Sequence, residues 1–362
     1  MTGFDPIAFL ERAVAIPSHE SVEEMRTMLV KRLREHDIEV TVDSAGNVLA
    51  HRGATGSARP HLVLNTHIDT VPPHVAPERR DGRLHGRGAC DAKGPLAAML
   101  AAFLAIDPAG GRTTLAVTPD EERQSTGAAA LEVDPDAVIV GEPTALHACH
   151  AARGRFQGTI TVDGEAAHAA EPDAGVNAIL GAGRVLGALA RFDAEHPAAP
   201  EPDPDLGAPT LTPTEIAGGS AANQVPERCQ ITVDRRSVPP ETADGFASGL
   251  NQFLDRSLPD VSAEYRHADR PTPFLEAFRT DPAADIVRTL VAAGASEPTP
   301  FGAATEASYF AAEAPTVVFG PGSLVDDCGA VAHSRREYVD IESVDAAAKI
   351  LETAIAGYLE SG

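Results

Sequence analysis

Three short apolar segments of this chain each lead into histidine or acidic residues. The segments are HLVLN (61–65), TTLAV (113–117) and DAVIV (136–140). The polar residues that follow them are His67 and Asp69, the acidic run 120–122, and Glu142. The carboxyl ends of parallel strands meet at one edge of a sheet, where α/β proteins bind their ligands. The recurrence therefore predicts a parallel sheet with carboxylates and imidazoles crowded along one edge.

Helices are predicted before and between these strands, which indicates an α/β fold. Apolar spacing predicts helices over 5–16 and 20–36, and the almost wholly apolar stretch 94–106 predicts a buried helix. Strands that alternate with helices favour a mainly parallel-core sheet flanked by helices.

The pattern changes in the middle of the chain. FQGTITVDGE and RCQITVDRRSV alternate like strands, with a predicted helix at 175–192 between them, and the last third returns to the earlier pattern. We therefore predict two domains. Residues 1–152 plus 269–362 form the α/β domain, and residues 153–268 form a smaller, inserted α+β domain.

The charge of the chain restricts its partners. There are 53 acidic residues against 29 Lys plus Arg, and the formal net charge is −24. Nucleic acid and anionic membranes would be repelled, so neither is expected as a partner. The acidic, lysine-poor composition suits a cytoplasm of very high salt. A GC-rich genome is the alternative, and it explains the few lysines better than the many acids.

The apolar segments, the first residues and the cysteines of the chain all favour a cytoplasmic protein. No run of 18 apolar residues predicts a membrane span, and the first residues lack the basic-then-apolar pattern of a secretory signal. The four cysteines are scattered without a CxxC pair, which disfavours a cysteine-based zinc site and favours a reducing compartment.

Each polar motif on its own has an ordinary explanation. These explanations are a loop pair for His67 and Asp69, a helix N-cap for Asp91, and a solvated turn for 120–122. The recurrence of such motifs, with Glu142 and then His333 after a Gly-Pro-Gly loop, is harder to explain as surface decoration. Carboxylates crowd together only where cations neutralise them. A His/Asp/Glu set without Cys suits zinc or a similar divalent metal.

The ordered motifs HIDTVP, GRGACDAKG, TPDEE, GEPT and GPG…AH resemble those of the M20 metallopeptidase family. The resemblance extends over essentially the whole chain. It implies a zinc-peptidase-like catalytic domain with an inserted lid and dimerisation domain. It also implies two divalent metal ions, zinc by expectation, with cobalt able to substitute.

The resemblance assigns a role to each matching residue. His67 and Glu142 would hold one ion, Glu122 and His333 the other, and Asp91 would bridge both. Asp69 would orient His67. Glu121 would be the general base that takes a proton from the attacking water and returns it to the leaving amine. Asp120 keeps the ordinary role of supporting its turn.

The inserted domain contributes further expected residues. GEAAHAAEPDAGVNAI resembles the lid segment in which a histidine, here His168, stabilises the oxyanion, commonly across a dimer interface. NQVPERCQITVDRRSVPP resembles the Asn-x-x-Pro and Asp-x-Arg-x-x-Pro pattern, which implies that Asn223 and Arg236 bind substrate. The open alternative for Arg236 is an ion pair with Asp234 or Glu227 within the lid. A homodimer through the lid is expected.

The segment ATEASYF (304–310) resembles the TEA segment of acetylornithine and acetylcitrulline deacetylases. The resemblance favours a small N-acyl amino acid as substrate, with removal of acetate from ornithine or a near relative in arginine or lysine biosynthesis. The alternatives are a succinyl-diaminopimelate desuccinylase, a di- or tripeptidase or carboxypeptidase of the same family, and a metal-binding module without turnover.

Overall fold

The chain folds into two compact units in a computed structural model that describes residues 3–53, 60–108, 111–197 and 199–361. One unit runs to Ala151 and resumes at Arg279, and the other spans Ala152–Phe278. The inserted unit therefore ends at Phe278 rather than at residue 268. The reason is that Arg155 N donates to Leu275 O at 2.8 Å and Phe274 packs against the core of the inserted unit, so this segment belongs with it.

Helices and strands are numbered here in chain order. The helices are α1 (Pro6–Ala15), α2 (Glu23–Glu35), α3 (Lys93–Ala105), α4 (Thr126–Ala129), α5 (Ala178–Leu189), α6 (Phe192–Glu195), α7 (Ala243–Ser257), α8 (Asp285–Ala292), α9 (Ala307–Ala311) and α10 (Ile341–Ser361). The strands are β1 (Val40–Val42), β2 (Val48–Gly53), β3 (His61–His67), β4 (Glu78–Arg80), β5 (Arg83–His85), β6 (Arg112–Thr118), β7 (Ala137–Val140), β8 (His147–Ala152), β9 (Gly154–Asp163), β10 (Ala167–His168), β11 (Thr210–Gly218), β12 (Gln224–Val225), β13 (Arg228–Ser237), β14 (Ser262–His267), β15 (Phe278–Arg279), β16 (Ser296–Phe301), β17 (Thr316–Val318), β18 (Val325–Asp326), β19 (Gly329–Ala330) and β20 (Tyr338–Asp340).

The first unit is built on a mixed sheet with a parallel centre. The strand order is β1-β2-β6-β3-β7-β17-β8-β15, and β16 pairs with β8. Strands β6, β3, β7 and β17 run parallel, whereas β1, β2 and β8 pair antiparallel. Every residue of β3 is buried, as expected for a strand covered on both faces. The predicted α/β class is confirmed.

Helix α3 is the buried helix that its composition predicted. It contacts α1, α10 and β3, and its apolar residues join the main core of this unit. It begins at Lys93, two positions after Asp91, so the packing of α3 places the main chain close to that carboxylate.

The inserted unit is an antiparallel sheet in the order β11-β13-β9-β14. Buried and partly exposed residues alternate along β9 and β13, and α5 and α7 cover the buried face. Phe156, Ile231 and Phe246 lie in its core. Within the described residues of both units, no helix has the length and apolar character needed to cross a bilayer.

Candidate metal centre

The carboxyl ends of three adjacent parallel strands provide most of the centre. His67 is the last residue of β3, Glu122 follows the end of β6, and Glu142 follows the end of β7. Strand β3 pairs in parallel with both β6 and β7, which brings the three ends together. Asp91 arrives from the loop before α3, and His333 from the loop before β20.

Two groups of possible metal ligands share one carboxylate. The first comprises His67, Asp91 and Glu142, all buried, and the second comprises Asp91, Glu122 and His333. In each group the donor atoms lie within 4.8 Å of one another. This donor chemistry and spacing fit two divalent cations that share the Asp91 carboxylate.

The two oxygens of Asp91 face different histidines. Asp91 Oδ1 lies 3.2 Å from His67 Nε2, and Asp91 Oδ2 lies 3.1 Å from His333 Nε2. His333 Nε2 is also 3.0 Å from Glu122 Oε1. The imidazole of His333 is 51% exposed, whereas that of His67 is 1% exposed, so the second group is the more open one.

Buried acids in this region strongly influence one another's ionisation. Burial, reinforced by the Asp91 charge, raises the pKa of Glu142 to about 8. Burial likewise raises the pKa of Glu121 well above its usual range, and Glu142 adds to that effect. Hydrogen bonds with Asp91 and Glu122 raise the pKa of His333 to about 10. Ionising these carboxylates together is costly because their negative charges repel one another. Bound cations would relieve that repulsion.

Asp69 connects the histidine to the acidic run. Its Oδ1 lies 3.2 Å from His67 Nδ1, the arrangement expected of a carboxylate that orients a ligating imidazole. Both carboxylate oxygens also accept backbone hydrogen bonds, from Glu121 N at 3.0 Å and from Glu122 N at 3.1 Å. A single buried carboxylate thus holds the ring of one possible ligand and the main chain that carries another.

Asp120 supports the turn, as expected for the first residue of the acidic run. Its side chain accepts hydrogen bonds from Thr126 N at 3.0 Å and from Gly127 N at 2.9 Å. The Asp120 carboxylate is therefore directed toward α4. Glu122, by contrast, belongs to a ligand group, and Glu121 lies close enough to Glu142 and His67 to be affected by their charges.

His168 and Asn223 are neighbours within the inserted unit. His168 pairs with Gln224 between β10 and β12, and Ala169 N donates to Asn223 O at 2.9 Å. His168 Nδ1 accepts from Ala170 N at 3.1 Å, so in the neutral ring the proton is on Nε2. Both side chains are exposed.

Arg236 forms an ion pair with Asp234, which is one of the alternatives to substrate binding that the sequence analysis left open. Its Nε donates to Asp234 Oδ1 at 2.7 Å, while Arg155 Nε donates to Asp234 Oδ2 at 3.1 Å. Arg236 and Arg155 are direct cross-strand partners on β13 and β9. The Arg236 side chain stays 38% exposed.

Comparison with known proteins identifies the family. Residues 63–357 match the profile of peptidase family M20/M25/M40. The chain belongs to this family. Membership makes it a metallohydrolase that acts on linear amide bonds, as the motifs predicted.

Two relatives are each 34% identical to this M20 chain. One is a putative LysW-lysine/LysW-ornithine hydrolase of Pyrobaculum aerophilum, aligned over 353 residues that cover 94% of this chain and 93% of the relative. The other is an acetylornithine deacetylase of Myxococcus xanthus, aligned over 346 residues that cover 88% and 86%.

Solved structures of M20 proteins share the fold. Aminopeptidase PepT of Bacillus cereus superposes with a TM-score of 0.79 at 20% identity, covering 98% of both chains. The YXEP protein of Bacillus subtilis, a dinuclear metal-binding peptidase, superposes with a TM-score of 0.76 at 14% identity, covering 99% and 98%.

Three residues beside the ligand groups were not singled out from the sequence. Thr305 Oγ1 donates to Glu142 Oε1 at 3.0 Å, and Arg87 forms a buried ion pair with Glu337 next to Asp91. The TEA segment and the GRG motif contain Thr305 and Arg87, so a local signal was present for both. Glu337 has no such local signal.

Proposed function

We propose that this chain hydrolyses the amide bond of an N-acyl amino acid at a centre that binds two divalent ions. The observation that carries the proposal is the shared carboxylate, because Asp91 presents one oxygen to each of two histidine-containing groups. His67 and Glu142 would complete the ligands of one ion, and Glu122 and His333 those of the other. The nitrogen and oxygen donors suit zinc, and cobalt by substitution.

The bound ions would lower the pKa of water and polarise the scissile carbonyl. Glu121 is the general base. It accepts a proton from the attacking water as the water oxygen bonds to the carbonyl carbon. It then delivers that proton to the amide nitrogen as the C–N bond breaks. Asp69 supports both partners, because it holds the Glu121 main chain and the His67 ring.

Three residues of the inserted unit are proposed to contact the substrate. His168 has its proton on Nε2 when neutral and donates to the developing oxyanion. Asn223, its neighbour, binds the substrate beside it. Arg236 binds the substrate carboxylate, for which a guanidinium is suited, and shares Asp234 with Arg155 while doing so.

The names of the two relatives support ornithine as the amino-acid half of the substrate. Both contain ornithine, although the groups to which it is joined differ. The TEA segment favours acetyl as the acyl group. We therefore propose N-acetylornithine as the first substrate to test. Release of lysine or ornithine from a LysW conjugate is the second, because the relative named for it is equally similar and covers more of the chain.

The deciding experiment compares N-acetylornithine, a LysW conjugate of lysine or ornithine, N-succinyl-diaminopimelate and a dipeptide with zinc or cobalt, at low and high KCl. Glu121→Gln is the control, since it keeps the shape of the side chain and removes the base. We expect acetate release from N-acetylornithine by the wild-type protein and a large loss of kcat in Glu121→Gln. Full activity in Glu121→Gln would show that Glu121 is not the general base. A preference for another substrate would show that acetyl is not the acyl group removed.

We further propose that two copies associate through the inserted unit. Strand β11 is an edge of its sheet, and α5 lies beside it. Exposed apolar side chains cluster in this part of the unit: Val176, Ile179, Leu180 and Ile216. An apolar surface next to an open strand edge is suited to a second copy of the same surface. The cytoplasm is the proposed compartment, since all four cysteines are free.

A further inference from the structure

A buried ion pair connects the loop that carries Asp91 to the loop that carries His333. Arg87 Nη1 donates to Glu337 Oε2 at 2.5 Å, and the side chains are 1% and 0% exposed. The two residues are 250 positions apart in the sequence. Burying two charges is costly unless their remaining hydrogen-bonding atoms are also satisfied, so the partners of this pair indicate what it does.

Glu337 holds the main chain at the shared ligand. Its Oε1 accepts from Cys90 N and from Asp91 N, both at 3.2 Å. The backbone on either side is also fixed, because Gly86 N donates to Glu337 O at 3.0 Å and β5 pairs with β20. The position of the Asp91 backbone therefore depends on the carboxylate of Glu337.

Arg87 holds the main chain at the exposed histidine. Its Nη2 donates to His333 O at 3.1 Å, and its Nε donates to Pro73 O at 3.2 Å. His333 has a left-handed backbone with φ of 62°. That conformation is unfavourable for a residue with a side chain and persists where surrounding contacts impose it.

We infer that Arg87 and Glu337 are positioning residues that set the distance between Asp91 and His333 and so form the second of the two metal sites. The inference rests on the proposed two-ion function. The first site depends less on this pair, because His67 and Glu142 are placed by the ends of the hydrogen-bonded strands β3 and β7. Loss of the pair therefore affects the two ions unequally.

The test is a zinc titration of the metal-free full-length protein, with bound metal counted after dialysis at buffered free zinc. For Glu337→Gln we expect the second ion to bind roughly 10- to 100-fold more weakly, the usual range for residues that support ligands. The first ion, which keeps His67 and Glu142, should lose clearly less affinity than the second. Cobalt gives a spectroscopic version of the same count.

A matched control is present in the inserted unit. Arg235 is likewise fully buried and donates to Glu241 at 2.7 and 2.8 Å and to Asp193 at 2.9 Å, and neither acid belongs to the ligand groups. Glu241→Gln thus weakens a comparable buried pair, and we expect it to bind both zinc ions with wild-type affinity. Equal loss of the second ion in Glu241→Gln and Glu337→Gln would overturn the inference, because general destabilisation would then be the cause.

Glu337→Gln leaves a buried guanidinium without its anion, which destabilises the fold. The double variant Arg87→Met/Glu337→Leu removes both charges and keeps apolar volume, and we expect the same selective loss of the second ion from a folded protein. Two ions bound with wild-type affinity in the double variant would overturn the inference and leave the proposed function intact. A wild-type protein that binds only one ion would overturn both.

Discussion

At the scale of single residues, a hydroxyl holds one carboxylate of the centre in place. Thr305 is buried and donates to Glu142 Oε1, and Glu142 belongs to the same ligand group as Asp91 and His67. Supporting hydrogen bonds of this kind orient ligands and strengthen metal binding.

Thr305→Val keeps the shape of the side chain and removes the hydroxyl. We expect zinc affinity at the first site to fall by about 10- to 100-fold, with the second site retained, because Glu142 belongs only to the first group. Zinc titration measures this selectivity, which is opposite to that expected for Glu337→Gln. Thr305→Ser keeps the hydroxyl and is the control. Unchanged zinc binding in Thr305→Val would show that the hydrogen bond is dispensable.

Glu306 is a second buried acid beside the strand ends. Thr118 Oγ1 lies 2.7 Å from Glu306 Oε2 and 3.2 Å from Thr66 O. The hydroxyl has a single hydrogen for these two oxygens, so a protonated Glu306 satisfies both contacts. Burial raises the pKa of Glu306 to about 8.

This pKa predicts how stability changes with pH. Between the ordinary pKa of 4.5 and about 8, the folded state keeps the Glu306 proton that the unfolded state releases. Because the unfolded state binds fewer protons, the free energy of unfolding falls as pH rises through this interval. Urea unfolding of chelated protein at both ends of the interval measures the fall. We expect a smaller fall in Glu306→Gln; an equal fall would contradict the assignment.

At the scale of elements, the exposed edge of the inserted sheet limits how two copies can pair. Strand β11 is exposed along most of its length and has a register shift between Pro213 and Glu215. Proline and an irregular register both hinder pairing with another strand. The part of β11 suited to pairing with a second copy is therefore the portion after the shift, which contains Ile216.

Leu180→Glu places a charge where the side chain is 71% exposed on α5. We expect the variant to be monomeric with its fold retained, because a buried unpaired charge disfavours an interface and is harmless on a free surface. Sedimentation equilibrium measures the mass. Val42→Glu is the matched control, since Val42 is also an exposed apolar residue, 46% exposed, but lies in the first unit. A dimeric Leu180→Glu protein would move the interface elsewhere.

At the scale of the whole molecule, the large negative net charge affects the stability of the fold. A net charge of −24 favours unfolding through self-repulsion, and salt screens that repulsion. The ion pairs that offset it are mostly on the surface, where each contributes little.

We expect the melting temperature to rise with KCl. Between about 0.1 M and 1 M the screening length falls from about 10 Å to about 3 Å, which removes most of the repulsion between surface acids. Calorimetry measures the shift, and a non-electrolyte at equal osmolality is the control. A melting temperature that stays constant or falls with KCl would contradict the high-salt interpretation of the composition.

Much of the fold was predictable because its signals are local. The apolar strands, the apolar helix α3 and the alternating strands of the inserted unit each follow from residues close together in sequence. The end of the inserted unit was misplaced at 268, because a hydrogen bond from Arg155 to Leu275 joins residues that no local pattern connects.

The amino-acid sequence was sufficient to predict the fold class, the family and the order in which possible ligands follow the strands. Strands and tight turns have local sequence patterns. Residues that follow them, such as His67 and Glu142, can therefore be identified from the sequence. Three features became known from the folded structure: the two oxygens of Asp91 face different histidines, Asp69 also holds the Glu121 main chain, and Arg87 and Glu337 join two distant loops. These contacts depend on distances of about 3 Å between residues far apart in the chain, and such distances exist only after the sheet and its helices have packed.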